Sequence, residues 1–244
     1  SGKDVLERLF TTFGYKREDN IKIPGLYLDC HWYEPPQSTN WPKLFISEQQ
    51  VQELPNEAKE IVYSTIGNYY AEDPFFELGL DKPESVDPLA LCLALEERPW
   101  RTSYRDYQAL LALTDKYKPA SGALQYTAWT LVHGHRWNHF TILLNTLGVS
   151  GLDTLEDLNA FLKENGFPLN KWGERELQGS TERLLKQSST KANLVEATFS
   201  DGVDATVPGS FVEFIERFQG DSGPFRGFLA DNARGIFAST NARD

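Results

Sequence analysis

Residues 153–166 read DTLEDLNAFLKENG and form the clearest element of the sequence. Asp153 and Glu156 have the spacing of a capping box, and Asn165-Gly166 supplies a left-handed stop. Between these signals the apolar residues recur at the spacing of one helix face, namely at Leu155, Leu158, Phe161 and Leu162. The segment is therefore predicted to be an amphipathic helix.

Short apolar runs bounded by Gly, Pro, Asp or Ser lie on both sides of this helix. They predict strands at 137–144, 183–190, 193–200 and 210–217. The predicted order is strand, helix, strand, strand, strand.

The N-terminal end repeats part of this unit. LERLFTTFGY at 6–15 parallels LNAFLKENGF at 158–167 with a constant offset of 152 residues. Three strand-like pieces follow the first of these helices, near 15–22, 26–33 and 43–47. Two related modules are therefore predicted, and the first of them lacks its opening strand.

Helical periodicity fills the region between the two copies. It occurs in VQELPNEAKEIVYSTIGNYY at 51–70, in DPLALCLALEE at 87–97 and in SYRDYQALLALTDKYK at 103–118. The sequence thus predicts an α+β protein with a partial N-terminal module at 1–47, a helical insertion at 48–126 and a C-terminal module with a terminal helix at 127–244.

Composition narrows the classes of partner. The chain has 24 Lys+Arg against 35 Asp+Glu, a formal net charge of −11, and no basic stripe, so nucleic acid is not expected to bind. No apolar run approaches the roughly 18 residues of a membrane span.

Cys30 and Cys92 lie far apart among apolar residues and are expected to be free thiols. The 244 residues contain no methionine, which leads us to expect that the sequence is not the whole translation product.

Two residues point to a metal site. His139 lies in the predicted first strand of the C-terminal module, on the same face as Thr141. Glu213 lies between Phe211 and Phe214 in the last strand, where a carboxylate needs a cation, a metal or a proton. A lone buried histidine is more often a hydrogen-bonded core residue, but His139 and Glu213 on one sheet would supply two ligands of the 2-His-1-carboxylate triad that non-haem Fe(II) oxygenases use.

The second histidine of such a triad is not evident. His31 lies on a predicted middle strand of the first module, and His133 and His135 precede the strand of His139. The equivalent of His139 in the first module would lie on its missing opening strand. We therefore expect the third metal ligand upstream of Ser1.

Two polar stretches remain open to a structural or a functional interpretation. The run 187–190, which contains Gln187 and Ser189, could be an ordinary strand end that leads into a turn. Asp231-Asn232 could be the N-cap of a last helix.

Several ordered blocks resemble the 2-oxoadipate dioxygenase/decarboxylase family, also called hydroxyglutarate synthase, of the vicinal oxygen chelate superfamily. They are LVHGHRWNHFTILLN (131–145), LLKQSSTKANLVEATFSDG (184–202), VPGSFVEFIERF (207–218) and GFLADNARGIFAST (227–240), with GLYLDCHWYEPP (25–36) and WPKLFISEQ (41–49) upstream. The resemblance implies paired βαβββ modules and an Fe(II) enzyme that converts 2-oxoadipate and O2 to 2-hydroxyglutarate and CO2 in lysine breakdown.

The resemblance also implies roles for particular residues. His139 and Glu213 match metal ligands, Gln187 matches a glutamine that faces the pocket, and Asn232 matches a substrate-side position before the last helix; Ser189 is a further candidate in the same polar run. The family's first metal histidine, in a segment of the form H-x-A-x-R, has no counterpart in these 244 residues.

Two other functions stay open at this point. One is a metal-dependent isomerase or lyase of the same fold without redox chemistry, and the other is a truncated or catalytically inactive binding protein. A cytoplasmic or plastid location is expected. The sequence indicates no particular oligomeric state.

Overall fold

The computed structural model describes residues 2–67, 87, 90, 100–221 and 223–242. The chain divides into two compact units, Ser1–Arg136 with Thr198–Asp204, and Trp137–Ala197 with Ala205–Asp244. The domain boundaries inferred from the sequence, 1–47, 48–126 and 127–244, stay a prediction. Most of the predicted helix at 87–97, and Cys92 with it, lie outside the described residues.

The first unit begins with the predicted helix and three strands. They are α1 (Lys3–Thr12), β1 (Lys16–Ile23), β2 (Leu28–Glu34) and β3 (Leu44–Gln49). The strands form an antiparallel sheet in the order β1-β2-β3. The helix packs its apolar face on one side of this sheet, where the buried residues are Tyr15, Tyr33, Leu44 and Ile46. The predicted order of elements is confirmed, and His31 lies on the middle strand as expected.

Three further helices of the first unit are described. They are α2 (Asn56–Ile66), α3 (Tyr104–Lys116) and α4 (Ser121–His133), and almost every residue of α4 is buried. Segment 198–204 completes this unit, because the carboxylate of Asp201 accepts hydrogen bonds from the backbone N–H groups of Tyr104, at 3.0 Å, and Arg105, at 3.4 Å. These bonds pair two of the backbone N–H groups in the first turn of α3, and the Ser103 hydroxyl accepts a third from Asp106.

The second unit contains a βαβββ module. Its elements are β4 (His139–Leu143), α5 (Leu155–Glu164), β5 (Gln178–Ser180), β6 (Leu185–Ser189) and β9 (Phe211–Arg217). The sheet order is β4-β9-β6-β5, with β4 and β9 parallel and the other pairs antiparallel. The predicted fold class is confirmed by this arrangement.

One predicted strand does not belong to this sheet. Residues 193–200 contain β7 (Leu194–Thr198), which pairs with β8 (Asp204–Pro208) in a separate two-stranded sheet. Along the chain, this hairpin follows β6 and precedes β9. The expectation that this strand completes the module was wrong, because β6 already has β5 on one edge and β9 on the other. The short β5, which the sequence analysis missed, occupies that place.

A short hairpin and a helix end the unit. The hairpin pairs β10 (Gln219–Gly220) with β11 (Gly223–Pro224), and α6 (Ala230–Phe237) follows it. None of the described helices combines the length and the hydrophobicity that a membrane span requires.

Helix α5 matches its prediction except at its start. Its bounds lie 152 residues after those of α1 at both ends, which confirms the predicted offset. The capping box is formed by Thr154 and Asp157, whose side chains each accept a hydrogen bond from the other's backbone N–H at 3.2 Å. The predicted box of Asp153 and Glu156 was therefore wrong by one residue, because Leu155, which is fully buried, is already the first helical residue.

The core of the second unit lies between α5 and one face of the sheet. Leu155, Leu158 and Leu162 of the helix pack with Phe214 of β9. Ser188 of β6 donates a hydrogen bond to Asn159 of α5 on the same side. Because side chains alternate along a strand, Gln187 and Glu213 must lie on the opposite face of the sheet.

Candidate metal centre

The parallel strands β4 and β9 bring the two predicted metal ligands together. Nε2 of His139 lies 3.2 Å from Oε2 of Glu213, and their side chains are 15% and 4% exposed. In the sheet, Glu213 is paired directly with Thr141, so His139 reaches it from two residues earlier on the same face of β4. The predicted placement of His139 and Thr141 on one face of β4 is confirmed.

Three side chains surround the carboxylate of Glu213. Thr141 Oγ1 donates to Oε2 at 2.7 Å, and Gln187 Nε2 donates to Oε1 at 2.5 Å. Burial alone would raise the pKa of Glu213, but the interactions with His139, Thr141 and Gln187 together hold this pKa below its ordinary value. The carboxylate is therefore kept ionised at neutral pH.

The His139–Glu213 pair has dimensions that suit a divalent metal ion. Two neighbouring ligands at about 2.1 Å from an ion, at right angles to each other, lie about 3 Å apart. The observed separation of 3.2 Å matches this distance. An imidazole and a carboxylate are also two of the donor types of the non-haem iron site.

Aromatic packing sets the orientation of the His139 ring. The ring stacks on Phe211 with centroids 4.7 Å apart and meets the edge of Phe237 at 6.1 Å. Its Nδ1 is buried and has no hydrogen-bond partner. A metal-bound histidine usually donates its second ring N–H to an acceptor. Here the two rings hold the imidazole instead.

Two amide groups near this sheet have unsatisfied polar atoms. Gln187 is 3% exposed and its Oε1 has no partner; Asn232 is 2% exposed and its Nδ2 has none. Buried polar atoms normally find a hydrogen-bond partner, so an unpaired acceptor and an unpaired donor indicate positions where a ligand could bind.

Asn232 lies inside the last helix rather than before it. It belongs to the first turn of α6, whose N-cap is Leu229 without a side-chain cap. The structure thus gives Asp231-Asn232 no capping role, and the expected position before the helix was wrong. The helix packs on β5 and β6. The described contacts include no hydrogen bond from Asn232 to His139 or Glu213.

Ser189 has structural partners. It is fully buried, and its Oγ lies 2.8 Å from Oγ of Ser239. Asn170 Nδ2 donates to the same hydroxyl at 3.4 Å and to the carbonyl of Gly235 at 2.8 Å. These contacts attach the C-terminal segment to β6, and the predicted catalytic role of Ser189 stays a prediction.

The other three histidines all belong to the first unit. His31 Nδ1 lies 3.2 Å from Oε2 of Glu7 and 3.2 Å from the hydroxyl of Tyr33. The ligand atoms of Asp4, Glu7 and His31 are close enough to hold an ion, but Glu7 already accepts a hydrogen bond from Tyr33. Among the described residues of the second unit, His139 is the histidine beside Glu213.

Sequence reasoning assigned no role to Thr141, Phe211 or Phe237. Thr141 could have been found, because it lies two residues after His139 on the same strand face. The contact of Phe237 with His139 could not, because it depends on how α6 returns to the sheet.

The βαβββ module, with His139 and Glu213 on one face of its sheet, gives the chain an α+β fold of the vicinal oxygen chelate type. A protein of Ralstonia eutropha assigned to the glyoxalase superfamily has the same fold, with a TM-score of 0.69 at 21% identity over 93% of this chain and 69% of its own.

Sequence comparison identifies the family within this class. The chain belongs to the 2-oxoadipate dioxygenase/decarboxylase family, whose profile matches residues 2–220. The chloroplastic/amyloplastic 2-oxoadipate dioxygenase/decarboxylase of Oryza sativa subsp. japonica is 32% identical over 231 residues, which are 88% of this chain. The chain spans 55% of the length of that relative.

A solved structure agrees with this assignment. The crystal structure of hydroxyglutarate synthase from Oryza sativa, in complex with 2-oxoadipate, matches with a TM-score of 0.76 at 30% identity. The match covers 98% of this chain and 76% of the rice chain.

Proposed function

We propose that the second unit carries the active site of an Fe(II)-dependent dioxygenase that converts 2-oxoadipate and O2 to 2-hydroxyglutarate and CO2, a step of lysine breakdown. Membership of the family supports the reaction. The observation that carries the metal part of the proposal is the approach of His139 Nε2 to Glu213 Oε2 at 3.2 Å.

His139 and Glu213 would hold the ion. Ferrous iron bound there would supply the affinity for the 2-oxo acid and for O2 and the redox chemistry of decarboxylation. The charge of the site supports a cation, because Glu213 alone would repel a dicarboxylate substrate. A divalent ion reverses the sign of that local charge.

The neighbouring side chains would orient the ligands. Gln187 holds Oε1 of Glu213 through its Nε2, and its free Oε1 can accept a hydrogen bond from a hydroxyl or water at the site. The free Nδ2 of Asn232 can donate to a carboxylate oxygen of a substrate. Phe211 and Phe237 cover the His139 ring and exclude water from that side.

The reaction can be tested directly. The full-length protein would be incubated with Fe(II), ascorbate and 2-oxoadipate in air, and O2 uptake, CO2 release and 2-hydroxyglutarate would be measured. We expect one O2 consumed for each CO2 released, and no product under nitrogen or with a chelator. Absence of turnover with 2-oxoadipate in a preparation that binds iron would contradict the proposed reaction.

The ligand set can be tested separately. In the full-length protein, His139→Ala and Glu213→Gln should each abolish iron binding, because each removes one of the two protein ligands on this sheet. His31→Ala, His133→Ala and His135→Ala should leave the iron content nearly unchanged, and these three variants are the matched controls. Loss of iron from a control variant that stays folded would show that the ligands lie elsewhere.

One observation favours a second candidate function. The second unit contributes one histidine and one glutamate to this centre, and His139 is the unit's single histidine. A protein that binds a small molecule without iron would need no further metal-ligating side chain. Metal analysis separates this candidate from the enzyme, and turnover that does not need O2 would instead indicate an isomerase or lyase.

The location is also a proposal. The rice relative is named as chloroplastic/amyloplastic, which supports a plastid location over a cytoplasmic one. A fluorescent fusion of the full-length protein in plant cells would test it.

A further inference from the structure

The hydroxyl of Thr141 lies beside the carboxylate of Glu213. Thr141 and Glu213 are direct partners in the parallel pairing of β4 and β9. The Thr141 hydroxyl donates to Glu213 Oε2 at 2.7 Å, and His139 Nε2 approaches the same oxygen at 3.2 Å.

The two oxygens of Glu213 have different surroundings. Oε1 accepts the hydrogen bond from Gln187, and Oε2 accepts the one from Thr141. A carboxylate oxygen offers about two acceptor directions. The hydroxyl of Thr141 occupies one acceptor direction of Oε2. The second acceptor direction is left for the side on which His139 lies.

We propose that Thr141 is a positioning residue that turns Oε2 of Glu213 toward the ion shared with His139. The proposal rests on the proposed function, because it assumes that these two residues bind a metal. Outer hydrogen bonds to a ligating carboxylate typically change metal affinity by about 10- to 100-fold. The expected effect therefore lies in metal binding itself and does not depend on turnover.

The position suits a clean substitution. Thr141 is exposed, whereas Glu213 is 3% exposed, so removal of the hydroxyl creates no core cavity. Thr141→Val keeps the β-branched shape that strands favour, and Thr141→Ser keeps the hydroxyl without the methyl group. Thr206→Val is the matched control, because Thr206 also donates to a glutamate, Glu196, at an exposed strand pair in the hairpin.

The experiment measures the binding of Fe(II) under nitrogen, and of Co(II) through its visible spectrum, to the wild-type full-length protein and to the same protein with each of the three substitutions. We expect Thr141→Val to weaken binding about 10- to 100-fold and to change the Co(II) spectrum. Thr141→Ser and Thr206→Val should bind like the wild type. Far-UV circular dichroism of each variant would verify that the fold is retained.

Each result bears on the proposal. Wild-type affinity in Thr141→Val would overturn the role of Thr141 and leave the proposed function intact. Equal weakening in Thr141→Ser or in Thr206→Val would also overturn it, because the effect would then not come from this hydroxyl. A wild-type full-length protein that binds neither ion would refute the proposed function together with this inference.

Discussion

Replacement of Gly179 by alanine should destabilise the second unit by an amount that the structure allows us to estimate. Gly179 lies on β5 with φ +82°, a left-handed backbone conformation. A Cβ at this position would lie 2.1 Å from the carbonyl oxygen of Leu185 and 2.6 Å from Nδ2 of Asn232. The amide of Asn232 can move away, but Leu185 is part of the β5–β6 pairing.

Two costs therefore add. A non-glycine residue in the left-handed region costs about 1–2 kcal/mol. An overpacked position costs a further 1–3 kcal/mol or so. Gly179→Ala should lower the free energy of unfolding by about 2–5 kcal/mol in total.

Gly173→Ala is the matched control. Gly173 also has a left-handed φ, +64°, but a Cβ there would meet no atom within 4 Å. It should lose only the conformational part, about 1–2 kcal/mol. The measurement is urea denaturation followed by far-UV circular dichroism. Equal losses in the two variants would refute the argument, because the clash with Leu185 would then cost nothing.

Three further predictions concern stability. Burial lowers the pKa of His135 to about 4 from an ordinary 6.5. As the pH falls from 6.5 to 4, the unfolded chain binds this proton and the folded chain does not, so the free energy of unfolding should decrease by up to about 3 kcal/mol. A His135→Asn variant should show a flatter dependence of melting temperature on pH. Leu158→Ala should cost about 2–5 kcal/mol in urea denaturation because Leu158 is 4% exposed in the core, whereas Phe161→Ala, at 46% exposed, should cost little. Thr154→Ala removes the cap of α5 and should lower the free energy of unfolding by about 1 kcal/mol in the same assay. Thr146→Ala is the control and should change it by almost nothing, so equal losses in the two variants would argue against the capping box.

The correct sequence predictions concern local patterns. Helix α5 follows from apolar residues at helical spacing, and the faces of β4 follow from alternation along a strand, so the placement of His139 with Thr141 on one side was predictable. The repeat was also predictable, because α1 and α5 show the same pattern at a fixed offset. These features depend on neighbours within a few residues.

The errors concern choices between similar local patterns. Asp153 and Thr154 are both good N-cap residues, and the buried position of Leu155 decides between them. Likewise, residues 193–200 read as a strand of the module, but the edges of β6 are occupied by β5 and β9. Neither fact is visible in a short window of sequence.

The centre at Glu213 shows the same division. The sequence predicts that a histidine and a buried glutamate occupy two strands of one module, because the apolar residues next to them indicate burial and side-chain alternation. The parallel pairing of β4 with β9, in the register that sets Thr141 opposite Glu213, became known from the folded structure. Strand order and register come from contacts between residues about 70 positions apart, whose relative free energies no local pattern encodes.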